Sequence, residues 1–399
     1  MSQALPLYVR RTGFDPDAEL TAARDDGGIT SVTTPFGTTA WLVTRHDDVR
    51  AVLADPARFS NSSIARGLAA SLGVAVDDPE VLAATAGNLL TYDPPGHTRL
   101  RRMLTPEFTM RRIRRVEPRV EAIVEEHLDA IERRGAPADL VADFALPVPA
   151  LVICELLGVP AADRADFEQR TNRQLDESLP MDERERAWTE SRAYMSELAA
   201  RARHDPGEDL LGMLVREHGD DLTDAELTGV GGLLLMAGHE PTANMLGLGT
   251  LALLRHPDQL AKVRDDPEQV APAVEELLRW LSIVGSASPK TATEDVEIAG
   301  RTVSAGDTVV CALPPANRDP SLIDDPDRLD VTRGTTNHLA FGHGIHHCLG
   351  APLARMQLRL ALPALLRRFP GLQLDGPFDQ VEFRSHHLFA GLGHLSVTW

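Results

Sequence analysis

Cys348 has the most reactive setting in this chain. It lies in Phe341-Gly342-His343-Gly344-Ile345-His346-His347-Cys348-Leu349-Gly350, followed by Ala351-Pro352-Leu353-Ala354-Arg355 and an apolar run. Proline suits the first turn of a helix, where a missing N–H costs little, so the sulfur falls near a helix start. Free N–H groups and the helix dipole there favour a thiolate, the form of cysteine that ligates metals. Gly344 and Gly350 allow tight turns and close approach of another group to the backbone. Phe341 could cover a flat apolar ligand beside the sulfur. His343, His346 and His347 crowd the same loop, which leaves a mixed-ligand metal site open. A buried structural cysteine in a glycine-rich turn is the other reading.

Further residues with chemistry are spread along the chain. His97 and Arg101 follow Asp93-Pro94-Pro95 and stand four apart, on one face of a helix. By itself the pair reads as a solvated helix face, although an imidazole N–H and a guanidinium fork there could also neutralise a carboxylate. Ala237-Gly238-His239-Glu240-Pro241-Thr242 places small residues, an acid and a hydroxyl in mid-helix. Pro241 removes the N–H that would bond back to Ala237 and pushes that carbonyl aside. Glu276 and Arg279 form an ordinary i,i+3 pair. Of the 40 basic residues only Lys262 and Lys290 are lysine, so Lys290 is not compositional drift.

Phe341, Gly344, Cys348, Gly350 and Ala354 match the Phe-x-x-Gly-x-x-x-Cys-x-Gly-x-x-x-Ala signature, and the chain thereby resembles the cytochrome P450 family from about residue 30 to its end. Glu276-x-x-Arg279, Asn317-Arg318-Asp319-Pro320 and Asp330-Val331-Thr332-Arg333 complete the resemblance as a structural network behind the cysteine loop. The resemblance implies a mainly α fold with small β-sheets, and haem (heme b) between a long distal helix and the proximal cysteine-loop helix. It makes Cys348 the thiolate ligand of iron and sets His97, Arg101, His346 and Lys290 at the haem propionates. Phe341, Gly344 and Gly350 would pack the cofactor, Ala237 would leave room above it, and Glu240 with Thr242 would relay protons. Leu234, Val284, Leu388 and Phe389 would line an apolar substrate pocket.

Two positions depart from the family pattern. Pro241 replaces the usual first threonine, and Lys290 offers a point charge where an arginine is usual. The implied activity is a monooxygenase that hydroxylates or epoxidises an apolar small molecule, a tailoring step on a polyketide, macrolide, peptide or terpenoid. Dioxygen and a separate ferredoxin with its reductase would serve it. Pro241 keeps an atypical reaction open: peroxide-driven oxidation, dehydration or isomerisation. A non-catalytic haem sensor is the rival from another class.

The elements that must position these groups are legible in outline. The chain of 399 residues reads as one catalytic domain, 1–399: β-rich at about 28–44, helical over about 45–280, then short strands, the cysteine loop and a last helix over about 281–399. The runs at 28–44 predict a hairpin about Pro35-Phe36-Gly37, and the spacing of 45–53 predicts a helix. Residues 61–90 show little period and read as a mobile loop with at most one helix, over the substrate in the family. Thr223 with Glu226 is a capping box opening the longest helical pattern, 223–256. Residues 284–313 read as short strands, and 383–392 with 395–399 as a closing hairpin.

A net charge of −19 argues against a nucleic-acid partner. Cys154, Cys311 and Cys348 are too few and too scattered for a disulfide framework, which favours a reducing compartment. The first twenty residues contain no signal-like run and no stretch of eighteen apolar residues occurs, so no membrane is expected and the cytoplasm is the expected location. Arg101, Arg102, Arg111, Arg112, Arg114 and Arg115 make a local basic cluster suited to an acidic ferredoxin.

Overall fold

The computed structural model describes residues 6–34, 38–175, 179–384 and 389–399. It opens with a ribbon of β1 (Arg11–Thr12) and β2 (Asp15–Pro16), then α1 (Ala18–Asp25). The expected hairpin is present as β3 (Ile29–Thr33) and β4 (Thr39–Val43), paired antiparallel with Ile29 opposite Val43; its turn lies outside the described residues. Helix α2 (His46–Ala54) follows, and then β5 (Phe59–Ser60).

The stretch 61–90 carries more order than its composition predicts. It folds as α3 (Ser63–Leu72) and α4 (Pro79–Thr85). The Asp78 carboxylate accepts from the Glu80 N–H and Pro79 fills the first helical position, a start signal that the weak apolar period obscures. Next come α5 (Gly96–Leu104), α6 (Met110–Arg134), β6 (Ala138–Asp139) and α7 (Pro147–Leu157). Helices α8 (Arg164–Leu175), α9 (Met181–His204) and α10 (Leu210–His218) continue the helical bulk.

Helix α11 (Asp224–Arg255) is the axis of the fold. Its capping box closes as expected, with Glu226 N–H on Thr223 Oγ1 at 3.1 Å and Thr223 N–H on Glu226 Oε2 at 3.0 Å. It is apolar nearly all round, and from Met245 to Leu253 every residue is buried. Such a helix is stable only when neighbours cover it on all sides, here α7, α9 and the late helix α15 (below). Gly238 lets α7 approach: a methyl there would sit 2.6 Å from Ile153 Cδ1. The helix runs unbroken through Pro241.

After α12 (Pro257–Asp265) and α13 (Val270–Leu281) come β7 (Lys290–Ala292), β8 (Val296–Ile298), β9 (Arg301–Val303), β10 (Thr308–Cys311) and α14 (Leu313–Asn317). The chain ends with α15 (Ala351–Arg368), β11 (Gln373–Leu374) and β12 (Ser396–Thr398). The larger sheet has the order β3-β4-β10-β7-β5, with β10 parallel to β4. This sheet brings Lys290, late in sequence, beside the early segment 59–61. The smaller sheet, β11-β12-β6, ties the C-terminus to the start of α7. No helix of the described residues is long and apolar enough to cross a membrane.

Candidate active site

The cysteine loop is set by hydrogen bonds from both sides. Cys348 N–H donates to Phe341 O at 2.9 Å, closing the loop, and Ala351 opens α15 three residues later. Gly344 has φ +71°, and a methyl on it would lie 2.1 Å from Leu53 O, so it presses the loop onto the end of α2. Gly350 is different. Its φ of −80° suits any residue and a methyl there would meet nothing within 4 Å. Gly344 therefore serves the fold, whereas Gly350 borders open space.

Protein surrounds the Cys348 sulfur closely enough for burial to push its thiol up, opposed by the Gly350 N–H, Arg101, the Ala351 N–H and Arg355. Yet the residue keeps accessible surface, so it borders an internal space rather than being packed over. Ala237 is likewise exposed in mid-helix, next to buried His239 and Glu240.

The remote residues converge. His97 and His346 rings lie 4.3 Å apart, and the Nε2 of each is buried without a hydrogen-bond partner. Burial, Lys290, His97 and Arg101 push His346 down to about 3. Burial also lowers His97, Arg101 and Lys290. Four cation-forming groups thus face one place, each held toward neutrality by desolvation, and the two histidines also by neighbouring cations. An anion relieves such a cluster, and buried ring nitrogens without partners call for a hydrogen-bonding group. A ligand with carboxylates on one edge and a metal over the sulfur fits both demands, as haem does.

Lys290 Nζ donates to Asn61 Oδ1. Asn61 is held by its own N–H on Asp93 Oδ1 at 2.8 Å and by its amide on Leu90 O at 2.9 Å. Sequence reading missed Asn61, because nothing local marks it; the sheet partner of β5 decides it.

Behind the loop the predicted network is present and buried. Arg279 binds Glu276 through two bonds of 2.8 Å and donates to Asn317 O at 2.9 Å and Pro326 O at 2.8 Å. Asp330 N–H donates to Glu276 Oε1 at 3.0 Å, and Arg333 lies 3.9 Å from the same oxygen. A second acid was missed. Glu275 accepts two 2.8 Å bonds from Arg355, and His338 lies 3.2 Å away. Although burial raises it, His338 and Arg355 prevail and bring Glu275 down to about 2. Arg355 also lies 4.5 Å over the Phe341 ring, so this pair braces the cysteine loop against α13. The adjacent acids Glu275-Glu276 were the only signal, and helical geometry points them to different partners.

On the distal side Glu240 is buried and its Oε1 lies 3.6 Å from Arg384 Nη1, a partner supplied by the C-terminal segment. Thr242 and Leu234 are buried, while Pro241 is half-buried. Val284 and Phe389 are half-buried and bridge one another. Leu388 lies outside the described residues.

This fold and this loop define a haem-thiolate protein. A family model described as Cytochrome P450 matches residues 181–377. "Cytochrome P450 FAS1" of Rhodococcoides fascians is 49% identical, with 99% of this chain and 98% of that protein covered. "Nocardicin C N-oxygenase" of Nocardia uniformis subsp. tsuyamanensis is 47% identical over 92% of this chain and 91% of its own length. Among solved structures, the complex of the X-domain and OxyB from teicoplanin biosynthesis has 47% identity and a TM-score of 0.88, covering 99% of this chain and 100% of the other. The chain belongs to the cytochrome P450 family: it is a monooxygenase with thiolate-ligated haem.

Proposed function

We propose that this monooxygenase tailors a peptide-derived antibiotic intermediate. The relatives' names support this, one acting on nocardicin C and another belonging to teicoplanin biosynthesis. The buried cationic cluster facing an accessible cysteine at a helix start is the observation that carries the site assignment. In this reading the whole chain is one catalytic domain and Cys348 would supply the thiolate ligand of the iron. His97, Arg101, Lys290 and His346 would hold the two propionates, with Asn61 orienting the lysine. Bound there, haem supplies the activation of dioxygen that inserts oxygen into a C–H or C=C bond. Phe341 and Gly350 would pack against the cofactor. Ala237 and Pro241 would leave room beside the cofactor, and Val284 with Phe389 would keep water from the substrate. Glu240 and Thr242 move protons toward the distal space. Electrons come from an acidic ferredoxin docked on the exposed arginines of α5 and α6.

A second reading rests on Pro241 and on the engagement of Glu240 with Arg384. If proton delivery is not metered there, the enzyme runs on peroxide or performs a redox-neutral reaction. One experiment separates the two: product formation with ferredoxin, reductase and labelled dioxygen, against hydrogen peroxide alone. Label in the product is expected under the first condition. Unlabelled product, or product with peroxide only, would exclude the monooxygenase reading of this substrate's chemistry.

A further inference from the structure

Helices α4, α8, α9 and α11 border a half-open cavity of about 330 Å³ one helical turn before Ala237, with Arg192 exposed at its edge. Its floor is apolar, from Leu233, Met236 and Met195. Around this floor stand Asn88, Gln174, Thr189, Ser191 and Thr228, and a single charged side chain, Arg192. No carboxylate lines it among the described residues. Arg192 Nη2 donates to Ala83 O, and no ion pair of Arg192 occurs among the described residues. Trp188 stands four residues earlier, on the same helix face.

The segment that follows Arg192's acceptor, Ala83, is fixed. Gly87 has φ +74°, and a methyl on it would lie 2.1 Å from Glu226 O; a methyl on Gly229 would lie 1.7 Å from Ala86 O. The two glycines interlock, so segment 84–88 is seated on α11 before any ligand arrives. A preformed pocket loses less on binding. From Leu233 the accessible side of α11 runs through Ala237 to Pro241. Eight residues at 1.5 Å each make about 12 Å.

We propose that Arg192 is an anion subsite at the outer end of the substrate pocket, and that the substrate is an amphipathic acid. Its carboxylate pairs with Arg192 and its apolar body lies along Leu233 and Met236. Its far end then extends along α11 past Ala237 toward Pro241, about 12 Å beyond Leu233. This rests on the monooxygenase reading of the site and narrows its substrate class. A guanidinium fork prefers a planar carboxylate to a neutral amide.

The test uses the haem-loaded enzyme and a matched pair of probes, N-octanoyl-L-phenylalanine and its carboxamide. Affinity is read from the Soret shift and by calorimetry, with imidazole binding confirming an intact haem site in each variant. The acid should bind about tenfold more tightly than the amide. Arg192→Met should remove that difference without changing amide affinity, and Arg192→Lys should restore part of it. Equal affinities in the wild type, an equal loss for both probes, or no binding of either overturns the subsite. Such a result leaves the oxygen-labelling outcome untouched, so failure here is distinguishable from failure of the monooxygenase reading.

Discussion

Two glycines of the cysteine loop, alike in the signature, do unlike work. Gly344→Ala forces a side chain onto a left-handed φ and against Leu53 O. It should destabilise the protein by roughly 2 kcal/mol in urea unfolding. Gly350→Ala should change stability by no more than about 0.5 kcal/mol, because its backbone is ordinary and its surroundings open. It should nevertheless lower haem retention, read as the ratio of Soret to protein absorbance. Full retention would show that Gly350 does not pack the cofactor. Pro241→Thr makes a third residue-scale case. Restored hydroxyl and N–H should raise the fraction of reducing equivalents recovered in product, provided that proton supply limits turnover.

At the scale of elements, the cysteine loop is held by α13 as much as by its own helix. Glu275 bridges α13 to α15 through Arg355 and to residue 338 through the imidazole. Removing one member of a buried, hydrogen-bonded charge pair costs about 3–5 kcal/mol, so Glu275→Ala should lower stability by roughly 3 kcal/mol. The pH dependence has a definite sign. The folded carboxyl titrates near 2, below its ordinary value of 4.5. Its stabilisation is therefore complete above pH 4.5 and is lost as pH falls toward 2. Urea unfolding between those limits should be steeply pH-dependent in the wild type and flatter in Glu275→Ala. An unchanged slope would mean that Glu275 is not the group responsible.

For the whole molecule, charge is distributed against its total. On a chain of net charge −19, Arg102, Arg111, Arg114 and Arg115 are exposed together where α5 gives way to α6. Arg112 is spent on Glu107 at 3.4 Å, and burial lowers Arg101, opposed by Cys348, so those two belong to the interior. Reversal of Arg111 and Arg115 to Glu should slow reduction by an acidic ferredoxin about tenfold at low salt and flatten its salt dependence. Stopped-flow reduction across an ionic-strength series measures this. Unchanged rates would place the electron donor elsewhere.

The cofactor was legible in the chain itself, because a thiolate ligand at a helix start demands particular residues at fixed short spacing. The same holds for the capping box of α11 and the hairpin of β3 and β4, whose physics is local. Residues 61–90 were harder. Their two helices have little apolar period, and α4 owes its start to the Asp78 cap and Pro79. What only tertiary structure decided is every partnership across distance: Asn61 on Lys290, Arg384 beside Glu240, Glu275 on Arg355, and Arg192 over an uncharged cavity. A charged side chain declares its type in sequence, but its role depends on which opposite charge, carbonyl or void the packing of remote elements sets before it.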